Sequence, residues 1–281
     1  MGSGTNGRTA GVVFLQLLAA SLLCGQGART IPDIEYARAG GQPLLLDLYL
    51  PEDSKTKLPV IVSIHGGGWH GGDKKASPGQ HFTKFGYAVA AVNYRLLPAD
   101  RFPAQIWDVK AAVRWLRAHA AEYNLDSDRV GAWGASAGGH LAALLATSGD
   151  VPELEGDLGN RTYSSRVQAA VDFFGPIDVA GWYRELGAPE AALIGGPVEG
   201  NEAKLRATSP ATYISPDDPP VLVAHGGRDT LVRMHHSEKF HAALREAGVR
   251  TELHIVPGAA HSVKELNLDQ QVLEFLNQAL R

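Results

Sequence analysis

The chain is poor in cysteine. Among its 281 residues only Cys24 carries a thiol, which excludes an intramolecular disulfide and a thiolate zinc site. Charge is sparse too. Asp, Glu, Lys and Arg make up 20% of the residues, the formal net charge is −4, and no Lys/Arg-rich run occurs. Nothing in that balance offers a footprint for nucleic acid. The long hydrophobic run lies at the start. Ala10 to Leu23 is mainly apolar, follows Arg8 and precedes the small residues Gly25, Gly27 and Ala28. At 14 residues it is too short to span a bilayer, and it reads as a secretory leader over residues 1–28. The expectation is a secreted or periplasmic protein without stable membrane insertion. Residues 29–281 then form one domain, since no repeat, low-complexity tract or linker divides them.

Glycine, by contrast, is plentiful, at 32 residues, and three clusters of it stand at the ends of apolar runs. Asp33–Ala37 and Leu44–Leu50 flank Gly40-Gly41 and read as an opening hairpin. Strands and helices then alternate. Strands are expected over 58–64, 87–93, 128–133, 167–173, 220–224 and 252–256. Helices are expected over 103–122, 237–247 and 264–280, the first with Ile106, Val109, Val113 and Leu116 on one face. Alternation of this kind predicts an α/β fold with a mostly parallel central sheet and helices on both faces. Two stretches depart from it. Gly149 to Asn160 is acidic and reads as a solvated loop, without the spacing of a calcium loop. Pro176 to Asp218 is rich in Gly, Pro and aromatics and reads as a small partial lid.

Gly134-Ala135-Ser136-Ala137-Gly138 is a G-x-S-x-G pentapeptide between a strand-like run and a helix-like run. In that context the serine sits on a sharp turn, its hydroxyl projecting above the sheet. The alternative is a glycine turn whose serine merely caps the helix. Upstream, His65-Gly66-Gly67-Gly68-Trp69 follows the strand Leu58 to Ile64. Consecutive glycines leave amides able to approach a ligand, and acyl transfer needs such donors where charge develops. Gly67, Gly68 and Ala137 are the candidate oxyanion donors, with the Trp69 amide as a substitute. His65 reads as structural. Downstream, Asp229 follows the strand Val221 to Ala224, and His261 follows the strand Glu252 to Val256. Loops beyond strand C-termini are where open α/β sheets place their sites. The order Ser136, Asp229, His261 is that of a nucleophile, an orienting acid and a general base. Asp172 is the rival acid and Asp178 a weaker one. His140, His225, His235 and His236 read as supporting or surface histidines. Phe174, Ile177, Trp182, Leu231 and Val232, with Trp69, are candidate walls of a substrate pocket.

These segments resemble a known family. The quoted HGGGW and GASAG motifs carry the likeness, together with Asn93-Tyr94-Arg95-Leu96, Phe102-Pro103-Ala104-Gln105, Asp172-Phe173-Phe174-Gly175-Pro176, the His225-Gly226…Asp229 segment and Gly258…His261. The chain resembles α/β-hydrolase carboxylesterases, and is closer to the bacterial bifunctional acetylxylan/feruloyl-esterase-like family than to the hormone-sensitive-lipase-like group. The latter usually carries Asp before the nucleophile, where Ala135 stands here, and a long N-terminal cap. The resemblance implies a Ser-His-Asp hydrolase working through an acyl-enzyme, without metal or cofactor. It implies short-chain or aryl esters as substrates, including acetyl or feruloyl esters of plant polysaccharide. An amidase such as an arylformamidase, and a binding protein on the same fold, are the alternatives.

Overall fold

The computed structural model describes residues 1–2, 28–52, 54–188 and 190–281. The expected leader, with Cys24, falls almost wholly outside them. The first hairpin joins β1 (Ala28–Ala39) to β2 (Gln42–Pro51). Gly40 and Gly41 both take positive φ, 54° and 81°. Two such residues match the twist of an antiparallel pair, which is why glycines stand there.

From β3 (Leu58–Ile64) the chain runs through two short 3-10 turns, Lys74–Ala76 and Gln80–Phe85, to β4 (Ala88–Val92). It continues through α1 (Ala104–Ala118), β5 (Leu125–Ala135), α2 (Ala137–Thr147), α3 (Pro152–Glu155) and β6 (Ala169–Phe173). The excursion follows: α4 (Val179–Glu185), a small ribbon of β7 (Glu190–Ala191) and β8 (Gly196–Pro197), and α5 (Glu202–Ala207). The chain then returns as β9 (Val221–Gly226), α6 (His235–Glu246), β10 (Thr251–Val256), α7 (Val263–Leu266) and α8 (Asp269–Leu280). The sheet has eight strands in the order β1-β2-β4-β3-β5-β6-β9-β10. β2 is antiparallel to both of its neighbours, and every pairing from β4 to β10 is parallel.

Strand periodicity sorts the core to the two faces. Val60, Val62 and Ile64 of β3 pack with Val109, Val113 and Leu116 of α1 and Leu141 and Leu145 of α2. Ile61 points the other way, to Trp133 and to Val272, Phe275 and Leu276 of α8. Each fully buried aliphatic of this kind contributes about 1.5–3 kcal/mol. α6 joins the first face, with Phe240 and Leu244 against Val221, Val223 and Ala146.

Two expectations need correction. The last helix is broken, because Asn267 sits at φ 49° between α7 and α8. The acidic stretch after α2 is more than a solvated loop. Glu155 accepts hydrogen bonds from Lys110 Nζ at 2.6 Å and Arg114 Nη1 at 3.0 Å, two cations that are almost wholly buried. Charges taken out of water need such a partner, and α3 brings it to them. Among the described residues no helix is long and apolar enough to cross a membrane.

Candidate active site

Ser136 stands between the last residue of β5 and the first of α2, at φ 57° and ψ −122°. A non-glycine residue resists that conformation, at a cost of about 1–3 kcal/mol. Backbone bonds hold it there: Ser136 N–H donates to Phe173 O at 2.8 Å and His140 N–H donates to Ser136 O at 2.9 Å. The flanking glycines are steric necessities. A Cβ on Gly134 would overlap the Gly138 carbonyl, and one on Gly138 would overlap the Ile64 carbonyl. The strand–helix turn can be this tight only without those side chains.

The HGGGW loop lies alongside. A Cβ on Gly66 would come within 2.9 Å of Ala135 O, so this loop packs on the turn itself. Gly67, Gly68 and Trp69 take φ of 112°, 61° and 61° in succession. Among the described residues the amides of Gly67 and Gly68 donate to no acceptor. Ala137, as the first residue of α2, has no intrahelical acceptor either. His65 fixes the base of the loop. It stacks on Tyr94 at 4.3 Å, its Nδ1 lies 2.8 Å from Gly66 O, and Tyr94 O–H donates to His65 O at 3.0 Å. Burial lowers the pKa of His65 and favours the neutral ring.

Asp229 and His261 meet. The Asp229 carboxylate accepts from His261 Nδ1 at 2.6 Å through Oδ2, while Oδ1 accepts from the amides of Leu231 and Val232 at 2.9 and 3.0 Å. Burial alone would raise the Asp229 pKa. The hydrogen bonds from His225, His261 and Val232 outweigh it and hold the carboxyl well below the usual range. His261 Nε2 has no hydrogen-bond partner among the described residues. The end of β6 links it to the serine: Phe173 binds the Ser136 amide, and the Phe174 ring lies 4.3 Å from the His261 ring.

The rival acids are engaged elsewhere. Asp172 is fully buried and accepts from Gly175 N–H at 2.9 Å, and burial raises its pKa to about 7. Asp178 caps α4 through Gly181 N–H. His140 Nε2 meets Thr208 O at 2.7 Å, and burial lowers its pKa to about 4. His235 and His236 flank Glu185 at 2.8 and 3.6 Å. A metal could be imagined among the three. The two rings stack with planes 26° apart, and Nε2 of each faces the Glu185 carboxylate.

The excursion closes over one side. Trp182 of α4 meets Trp69 edge-on at 5.7 Å and donates Nε1–H to Leu231 O at 2.9 Å. It therefore touches both the glycine loop and the acid loop. Leu231 keeps an exposed side chain, whereas Val232 is buried and braces Asp229 through its backbone. Ile177 is placed in the core against Ala143, Ala170 and Phe240. The sequence gives no sign of Ser237, which hydrogen-bonds His225 behind the acid.

A strained serine at a strand–helix turn, an Asp–His pair beyond two later strands and a glycine loop beside them define an α/β-hydrolase. A family model described as BD-FAE matches residues 46–244, and the chain belongs to that family. Esterase LipQ of Mycobacterium tuberculosis is 34% identical over 240 residues, covering 82% of this chain and 56% of the relative. A structure described as a truncated form of carbohydrate esterase from gut microbiota aligns with a TM-score of 0.81 and 31% identity, covering 89% of this chain and 96% of that one. Butyrate-bound esterase Est2 of Thermogutta terrifontis aligns at 0.70 with 28% identity, covering 90% and 95%. The chain spans 50% to 62% of the length of the mycobacterial esterases LipQ, LipM and LipC.

Proposed function

We propose that this protein is a serine hydrolase of carboxylic esters. Ser136 is the nucleophile, and His261 takes its proton and returns it to the leaving alcohol. Asp229 holds the imidazole tautomer and stabilises its cation. The amides of Gly67, Gly68 and Ala137 receive the oxyanion. The acyl group passes through an ester of Ser136, which water then cleaves. The observation that carries this reading is the 2.6 Å bond between Asp229 Oδ2 and His261 Nδ1, which leaves Nε2 unpaired for a serine proton. Among the described residues no hydrogen bond joins Ser136 to His261, and such contacts commonly tighten only with substrate.

The substrates are short-chain or aryl esters, including acetyl or feruloyl esters on plant polysaccharide. A carbohydrate esterase and a butyrate-bound esterase among the structural neighbours favour small acyl groups. Trp182 stands beside the glycine loop and the acid loop, and the Phe174 ring lies against His261. We place the protein outside the cytoplasm, with residues 1–28 as the leader. N-terminal sequencing of exported protein tests that placement, and a retained Met1 refutes it.

The test of function is hydrolysis of p-nitrophenyl acetate, butyrate and decanoate, methyl ferulate and acetylated xylan by wild type and Ser136→Ala. Loss of about four to six orders of magnitude in kcat is expected in the variant. Turnover confined to a formylated aromatic amide makes the protein an amidase. Absence of any Ser136-dependent turnover and of fluorophosphonate labelling makes it a binding protein.

A further inference from the structure

Two histidines hold Asp229, and the chemistry above uses one of them. His225, at the end of β9, is fully buried. Its Nε2 lies 2.8 Å from Val232 O and 3.4 Å from Asp229 Oδ2, the same oxygen that binds His261. Neither oxygen can donate, so Nε2 carries the ring proton. In the neutral ring Nδ1 is then an acceptor, and Ser237 Oγ of α6 stands 2.7 Å from it. Ser237 is fully buried as well. The ring thus has one orientation and one tautomer, both set from behind by the serine.

We propose that His225, oriented by Ser237, is a positioning residue that fixes Asp229 and tempers its pull on the His261 cation. Its consequence for turnover rests on the hydrolase reading, whereas the brace itself rests on the geometry. A donor at Oδ2 draws negative charge from the oxygen that His261 uses. Without that donor the carboxylate attracts the imidazolium more strongly, and His261 holds its proton to higher pH. A residue that merely filled space would act in the opposite sense. Its loss would loosen the Asp229–His261 bond, and the His261 pKa would fall. The sign of the change therefore separates the two roles.

Other groups face this pair. Asp172, on the neighbouring strand β6, acts on His225, and Glu265 of α7 accepts from the Ala260 amide at 2.8 Å. Both stay in place in every variant below, and Ser237→Ala keeps His225 as well, so in that variant their fields cancel.

The experiment titrates His261 by NMR in the full chain, alongside kcat/KM against pH, for wild type, His225→Leu, His225→Gln and Ser237→Ala. In His225→Leu the acid limb of kcat/KM, and the NMR titration with it, should move to higher pH. Ser237→Ala should shift both in the same direction by less. His225→Gln, whose side-chain N–H can replace the lost donor, should return close to wild type. Should His225→Leu fail to fold, Ser237→Ala and His225→Gln carry the test. An unchanged or lowered His261 pKa in the folded His225→Leu or Ser237→Ala variant overturns the proposal. The NMR titration needs no turnover. A shift in a protein without Ser136-dependent activity would keep the brace and remove the hydrolase reading, whereas turnover without the shift would do the reverse.

Discussion

Replacing Asp229 with Asn changes one oxygen to an amide group and should abolish most activity while leaving the fold. The carboxylate faces donors on both sides: two backbone amides at Oδ1, and His261 with His225 at Oδ2. Asn has one acceptor oxygen. If that oxygen keeps the Leu231 and Val232 amides, the NH2 turns to His261 Nδ1. The ring must then accept there and carry its proton on Nε2, where it cannot take a proton from Ser136. If the amide flips, its NH2 opposes two backbone N–H groups, which costs about 1–3 kcal/mol of stability. The first arrangement is therefore favoured, and it is the inactive one. The loss should be about four orders of magnitude in kcat, or about 5 kcal/mol at the transition state. Stability carries a second signature. The native pKa of Asp229 is depressed, so its contribution is present above the unfolded value near pH 4 and is lost as pH falls through the native value. The stability gap between wild type and Asp229→Asn should thus narrow in acid. The assays are p-nitrophenyl acetate kinetics and urea unfolding at pH 3 to 7. If Asp229→Asn retains a tenth of the wild-type kcat while Asp172→Asn loses activity, the acid has been assigned to the wrong strand.

Three further outcomes are expected. Gly138→Ala places a Cβ against the Ile64 carbonyl and should destabilise the fold by about 1–3 kcal/mol or more, read by urea unfolding; an unchanged midpoint would show that the turn relaxes freely. Glu155→Gln leaves Lys110 and Arg114 buried without a counter-charge and should cost about 3 kcal/mol, with little effect on kcat of the folded fraction, checked by thermal melts and active-site titration. Asp172, with its native pKa raised to about 7, binds a proton in the native state that the unfolded chain has lost above about pH 4, so its contribution to stability should fall as pH rises from about 4 to about 7. Asp172→Asn should flatten that slope in unfolding curves, and an unaltered slope would place the titration on another group.

The sheet and the serine turn were legible because they rest on local rules. Alternating apolar runs find β3 to β6, and the glycines at 134 and 138 mark a turn that no Cβ could enter. The break at Asn267 was not legible, since Lys264 to Leu280 keeps a helical rhythm across a residue that only the backbone shows to be left-handed. The role of Glu155 was hidden for another reason. A sequence shows four acidic residues in a loop, but the buried cations that need one of them lie more than 40 residues earlier, on α1. Asp172 and Asp229 were both credible acids, because each lies near the end of a strand. Tertiary packing separates them, giving one a histidine and the other a glycine amide.

The site's precision comes from backbone more than from side chains. Ser136 is held by two main-chain bonds, the glycine loop by its contact with Ala135, and Asp229 by two amides of its own loop. These supports belong to elements that pack rigidly in the core, so the strain at Ser136, about 1–3 kcal/mol, is offset by the packing of β5 and α2. The excursion adds an aromatic wall of side chains to this backbone frame. Trp182 is tied by one hydrogen bond to Leu231 and by an edge contact to Trp69. Replacing residues of α4 should accordingly change which ester is accepted while the pairing of Asp229 with His261 stays intact. Fixed donors with an adjustable wall are what a fold needs if one reaction is to serve different acyl groups.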